Sequence, residues 1–258
     1  MYNILNGLLK DRKSDIVFKC FGLWHLIYLL LFIVITIVLI IKLNNKEKEF
    51  KLKTINLLIN IAFGLYILDF FLMPFAYGAI DLEKLPFHVC TSMCVMCFLT
   101  RYNKKLSTFK SQFAIIGLIS NFIYLIYPAG VGWYVIHPLS YRVIQTLLFH
   151  GLMSMYGIIT LIYDDVKFEW KKSYKELIII IILTIWALVG NYLYNGIGGN
   201  YNYKFNWFFV IRDPFNILPS EISKLIMPPF MIIFMYCLVM LVYFIYYNVR
   251  KNITKKEF

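Results

Sequence analysis

Runs of apolar residues long enough to cross a lipid bilayer recur along this chain, and that length constrains its fold more than any other feature. A hydrocarbon core about 30 Å thick is crossed by about 20 helical residues rising 1.5 Å each. Seven runs qualify, near residues 21–42, 54–75, 86–100, 111–128, 138–163, 174–195 and 226–248. The third is the shortest and is expected to enter tilted, deep, or from a partly buried connection. Within lipid every backbone polar group must find its partner inside the chain, so helices are the expected form of each span. No internal repeat and no long linker divides them. The expected architecture is all-α: a single polytopic domain over residues 1–258, a bundle of seven transmembrane helices.

Charge and cysteine content narrow the function classes. Hydrophobic residues fill 60% of the 258 positions, more than a soluble domain with a charged surface carries. The net charge of +12 is not a nucleic-acid signature, because Lys and Arg sit almost entirely between the spans, where anionic headgroups hold them. No basic stretch is long enough to form a nucleic-acid-binding unit of its own. The five cysteines, Cys20, Cys90, Cys94, Cys97 and Cys237, lie in or beside apolar runs and do not suggest a disulfide framework. Charges flank only a weak apolar patch in the first twenty residues, so no cleavable signal peptide is read there.

Counting basic residues orients the bundle. Residues 42–53, 101–110, 164–175 and 249–258 hold five, four, four and four Lys or Arg, 17 together. The alternate segments 1–20, 76–85, 129–137 and 196–225 hold four, one, none and three, 8 together. The positive-inside rule then places the chain in the cell membrane with its N-terminus outside and its C-terminus in the cytoplasm. His88, Cys90, His137, Arg142, Asn191 and Asp69 would share the outer half of the bundle.

Polar groups inside the spans are the informative ones, because an ionisable side chain at the bilayer centre costs about 2.5–3.5 kcal/mol on insertion scales. Asp69, five residues before Pro74, is expected to face the interior and to have a partner on a neighbouring helix. The fifth run opens at His137-Pro138, with Pro suited to a first helical turn. At 100° per residue Arg142, Thr146 and His150 fall within about 80° of one another, with Gln145 about 60° to the other side. Such a stripe points to a wet cavity or polar pocket.

At the third run, His88, Thr91 and Ser92 share one helix face, while Cys90, Cys94 and Cys97 lie on roughly the opposite one. His88 therefore cannot activate Cys90 within one regular helix, and a base for that thiol must come from elsewhere, such as His150. The three thiols have three readings: packing between helices, one catalytic thiol, or metal ligation, for which the spacing matches no zinc arrangement. No metal and no cofactor is assigned. Residues 194–217 are rich in Tyr, Phe, Trp, Asn and Gly, among them Gly196, Gly198, Gly199, Tyr201, Tyr203, Trp207 and Phe209. They read either as an interfacial loop or as a lid over an outer cavity.

Taken in order, Leu85-Pro86-Phe87-His88-Val89-Cys90, His137-Pro138, Phe149-His150-Gly151-Leu152, Asn191-Tyr192-Leu193, Asn200-Tyr201 and Arg212-Asp213-Pro214 resemble the YwaF family of bacterial integral membrane proteins over about residues 55 to 248. That family is similar to transmembrane protein 164, a eukaryotic acyltransferase moving fatty acyl chains between phospholipids with a membrane-embedded Cys and a His. The resemblance implies a thioester ping-pong reaction, with membrane lipids as partners and a phospholipid or lysophospholipid as substrate. Cys90 and His150 are the candidate catalytic pair, and His88 is a competing base or oxyanion donor. Asp69, Arg142, Gln145 and Asn191 are the candidate substrate-binding residues. His150 lies 12 residues into its run, about 18 Å down a helix, so it meets Cys90 only if the third helix begins deep in the bundle. The alternative is a small transporter or lipid-binding protein that uses Asp69, Arg142 and His150.

Overall fold

The computed structural model describes residues 15–77, 82–132, 135–164, 169–195, 205–215 and 217–254. The described residues form helices and connecting turns, with no strand. Seven helices carry the fold: α1 (Leu23–Asn44), α2 (Lys48–Tyr77), α3 (Val89–Tyr102), α4 (Lys110–Ile126), α5 (Tyr141–Tyr163), α6 (Tyr174–Asn195) and α7 (Ser220–Thr254). Six are long and apolar enough to cross a membrane, and α3 is the short one. The protein is thus a polytopic helical membrane protein in contact with lipid.

Helix bounds depart from the apolar runs where polar residues are good helix formers. Helix α2 starts at Lys48 and α7 at Ser220, since charged first turns shorten a hydropathic run without breaking a helix. Pro228 and Pro229 lie within α7; each removes one backbone donor early in a 35-residue helix, which continues past them. Helix α5 begins later than expected. His137 accepts the Ser140 backbone N–H at 2.9 Å, and its Nδ1 accepts that of Leu139 at 3.1 Å. Pro138 therefore stands in a turn ahead of the helix, and Ser140, in extended conformation, is its N-cap.

Helix α5 is the axis of the bundle. It packs most extensively on α4 and then on α2, while α3 packs on α4 and α2, α6 packs on α7, and α1 lies at the edge with its main helix contact on α5. In the apolar window of α5, 78% of residues are buried, against 17% in α1 and 22% in α7. Glycine sets the closest approach: a Cβ at Gly157 would lie 2.6 Å from Leu118 Cβ and 3.2 Å from the Ala114 carbonyl oxygen. Helices α4 and α5 thus meet nearly backbone to backbone, the small-residue packing that lipid favours.

Side-chain bonds define two opposite ends. At one end Asp164, closing α5, binds Arg101 from α3 at 2.5 Å and Lys110 from α4 at 2.6 Å. Arg101 also donates to Tyr156 and Thr160 on α5. The same end holds Tyr163 donating to the Ile40 carbonyl of α1, and Tyr243 of α7 donating to the buried Glu176 of α6. At the other end His25 of α1 bridges the Phe21 N–H and the Leu125 carbonyl, and Tyr28 donates to the Pro138 carbonyl. Successive helices therefore run in alternate directions, and the helix ends that border the lysine-rich segments gather at the Asp164 end.

Candidate functional site

The short α3 is explained by what precedes it. Its 14 residues span about 21 Å, and the connection from α2 folds back into the bundle to meet it. The Tyr66 hydroxyl donates to the Lys84 carbonyl at 2.8 Å, and Lys84 Nζ binds Asp69 at 2.7 Å. Tyr66 and Asp69 lie 11 and 8 residues before the end of α2, so Lys84 sits about 12–16 Å below that end. Irregular backbone at this depth must be paired within the protein. Tyr66 serves the Lys84 carbonyl, the Trp186 indole the Pro86 carbonyl at 2.7 Å, and the Trp207 indole the Glu83 carbonyl at 3.4 Å. Helix α3 therefore starts below the end of α2.

Asp69 is 2% exposed. Its partners are Lys84, from the re-entrant turn Leu82–Lys84, and the Tyr141 hydroxyl at the start of α5. The partner comes from a connection, where a search among helices does not find it. The α5 stripe is real in the sense that Gln145, Thr146 and His150 are buried, with Arg142 half-buried above them.

His150, 5% exposed, has the most defined surroundings in the bundle. Its Nδ1 lies 2.7 Å from Asn121 Oδ1 on α4, and Asn121 Nδ2 donates to the Gly117 carbonyl at 2.7 Å. With the amide nitrogen so engaged, Oδ1 is the acceptor, His150 Nδ1 carries the proton, and Nε2 keeps its lone pair. The Tyr124 ring stacks on the imidazole at 3.9 Å and 15°. His88 has the opposite arrangement: its Nδ1 accepts the Phe208 N–H at 3.3 Å, which leaves Nε2–H as a donor.

Cys90 is half-buried at the start of α3, whereas Cys94 and Cys97 are buried in the core. Cys97 Sγ faces α4 at Gly117, where an added Cβ would lie 3.6 Å away. All five cysteines are free thiols. The Tyr66 ring lies 6.2 Å from that of Phe149, next to His150, and its hydroxyl donates to the Lys84 carbonyl, so the turn leading into α3 reaches the level of the imidazole. Asp69, held by Lys84 and Tyr141, and His150, held by Asn121 and Tyr124, are thus linked through Tyr66 and the turn that leads to His88 and Cys90. Among the described residues no three His, Cys, Asp or Glu side chains are arranged to hold a metal ion.

Asn191 has a different place. It is 0% exposed, its Nδ2 donates to the Trp207 carbonyl and its Oδ1 accepts the Trp207 N–H, both at 2.9 Å. Asn195 grips Phe205 in the same two-armed way. These amides hold residues 205–210 across the end of the site remote from Asp164, so Asn191 shapes the site through the loop. The loop carries strain, because Phe208 and Phe209 have φ of 57° and 54°, a region that costs a non-glycine residue about 1–2 kcal/mol. Gly196, Gly198, Gly199, Asn200, Tyr201 and Tyr203 lie outside the described residues.

Beneath the loop is an aromatic plug. Phe87 sits 4.7 Å from the Trp186 ring and 4.9 Å from Trp207, and Trp207 stacks on Phe205 at 4.6 Å. A Cβ at Gly190 would lie 2.4 Å from the Phe87 ring, which these neighbours prevent from yielding. Gly190→Ala is expected to destabilise the protein by about 1–3 kcal/mol, read as a lower midpoint of thermal unfolding in detergent; an unchanged midpoint would show that Phe87 has room to move.

Beyond the plug, Asp213 closes the loop. Its carboxylate accepts the backbone N–H groups of Phe215 (2.9 Å), Ile217 (2.7 Å) and Leu218 (3.1 Å). These bonds, led by that from Phe215, hold its carboxyl below the usual carboxylate range. With the folded value depressed, the stabilisation is complete above the unfolded carboxylate value and is lost as pH falls through the folded one. Protection of the Ile217 and Leu218 amides from hydrogen exchange should thus drop on acidification below the ordinary Asp range. In Asp213→Asn the protection should be low and should not respond to pH over that range.

The structure thus supplies partners that the sequence reading did not name: Lys84, Asn121, Tyr124 and Tyr141. Asn121 carried a signal of the kind Asp69 carried, an amide within the apolar run IIGLISNFIYLI. The TMEM164 family model matches residues 20–247, which bears out the transmembrane protein 164 part of the resemblance. No curated protein and no solved structure matches the chain.

Proposed function

From the premise that the chain belongs to the TMEM164 family, we propose that it transfers acyl chains between phospholipids through a thioester on Cys90. His150 Nε2 takes the thiol proton as Cys90 Sγ attacks the carbonyl carbon of a phospholipid ester. The bond from that carbon to the glycerol oxygen breaks, the oxygen receives the proton from His150, and a lysophospholipid leaves. A second lysophospholipid then gives its hydroxyl proton to His150 and attacks the thioester carbon. The C–S bond breaks and the returning proton restores the thiol. His88 Nε2–H supplies a donor for the oxyanion of each tetrahedral intermediate, and Asp69, Arg142 and Gln145 line the headgroup side.

The observation that carries this reading is the Tyr66 link: its hydroxyl donates to the Lys84 carbonyl, six residues before Cys90, and its ring packs 6.2 Å from that of Phe149, next to His150. A thiol and a neutral imidazole with a lone pair are the minimum for nucleophilic acyl transfer. The imbalance of 17 basic residues against 8 supports a site toward the outer leaflet, with the N-terminus outside the cell membrane and the C-terminus in the cytoplasm.

The test uses purified protein in vesicles containing a phospholipid donor and an isotope-labelled lysophospholipid acceptor, followed by lipid mass spectrometry. Labelled phospholipid should form with wild-type protein and not with Cys90→Ala, and a hydroxylamine-sensitive acyl group should be found on Cys90. Equal exchange in Cys90→Ala, or no exchange by the wild type, would end this reading. Solute uptake lost in Asp69→Asn would favour the transport alternative.

A further inference from the structure

We propose that Asn121 is the positioning residue of His150, its amide oxygen taking the Nδ1 proton so that Nε2 is the basic nitrogen, an inference that rests on the acyl-transfer reading. Asn121 is 0% exposed, and its bonds leave it no alternative orientation. Flipping the amide would set the carboxamide oxygen against the Gly117 carbonyl, which accepts from Nδ2 at 2.7 Å. The helix fixes the first contact, four residues back along α4, and that contact fixes the second. Tyr124, on the same helix one turn later, covers the imidazole face at 3.9 Å. Two side chains of α4 thus set the tautomer and the plane of a base on α5. The close approach at Gly157 holds the two helices at the required separation. A neutral amide suits this depth, since a carboxylate in its place would add a buried charge.

Asn121→Leu keeps the shape and removes the acceptor; Asn121→Asp keeps the acceptor and adds charge. In the vesicle assay Asn121→Leu should lower the maximal rate on the order of 10²-fold, the scale of a misplaced catalytic group. The rising limb of its pH–rate profile should move to lower pH, because the imidazolium loses its partner. In Asn121→Asp that limb should move to higher pH, because the carboxylate favours the imidazolium. A purely structural role would lower the rate without moving either limb. A second measurement serves if transfer is too slow: the pH dependence of N-ethylmaleimide labelling at Cys90, read by peptide mass spectrometry in wild type, Asn121→Leu and His150→Ala. Labelling profiles that shift in both variants support the inference; profiles identical in all three overturn it, as do unmoved limbs in both Asn121 variants. A wild-type protein that transfers no acyl chain defeats the acyl-transfer reading alone, and the labelling profiles still judge Asn121.

Discussion

Under the acyl-transfer mechanism proposed above, alanine at His150 is expected to lower transfer about 10²–10⁴-fold, the usual contribution of a positioned general base, while the protein still reaches the membrane. The size of the effect follows from the surroundings. The imidazole is buried between Tyr124 and Phe149, so bulk water has poor access to take over the proton. Transfer should also lose its pH dependence in the range where an imidazole titrates. A variant within a few-fold of wild type would remove His150 from the chemistry. The same result with Cys90 still acylated would point to His88, which could act as the base only after giving up the Phe208 N–H at Nδ1 and carrying its proton there.

Asparagine at Asp164 should produce the largest loss of stability, about 3 kcal/mol, as expected when one partner of a buried ion pair is removed. Asp164 and Arg101 have side chains 6% exposed, and Lys110 is 27% exposed. Without the carboxylate two cations from α3 and α4 face each other at the end of α5 with no counter-charge. Water reaching Lys110 moderates the cost, which is why the estimate stays at the lower end of the range. The expected readout is a markedly lower unfolding midpoint in detergent, with partial recovery when Lys110→Met is added to Asp164→Asn. An unchanged midpoint would mean that the tie between α3, α4 and α5 is supplied by Tyr156 and Thr160 alone.

Helices were legible in the sequence because apolar length is a one-dimensional property. The runs near 21–42 and 174–195 match Leu23–Asn44 and Tyr174–Asn195 closely. The stripe of Gln145, Thr146 and His150 was legible for a related reason, since helical periodicity places them on one side before any partner is known. The Asp69–Lys84 pair was not, because Lys84 sits in a connection that only tertiary packing brings back beside α2. Asn191 shows a further limit. Its chemistry suggested ligand contact, yet two backbone groups of Trp207 occupy it, and a loop partner 16 residues away leaves no periodic trace. Asn121 could have been found, as a lone carboxamide in an apolar span needs a partner as surely as a carboxylate does.

Phe208 and Phe209 have one more implication. Held at positive φ by the Asn191 grip and by His88, the pair keeps the backbone about 2–4 kcal/mol above a relaxed conformation. Any rearrangement that freed these two residues would release that tension, offsetting part of the cost of the hydrogen bonds broken on the way. A loop so arranged resembles a sprung latch, firm while its catches hold.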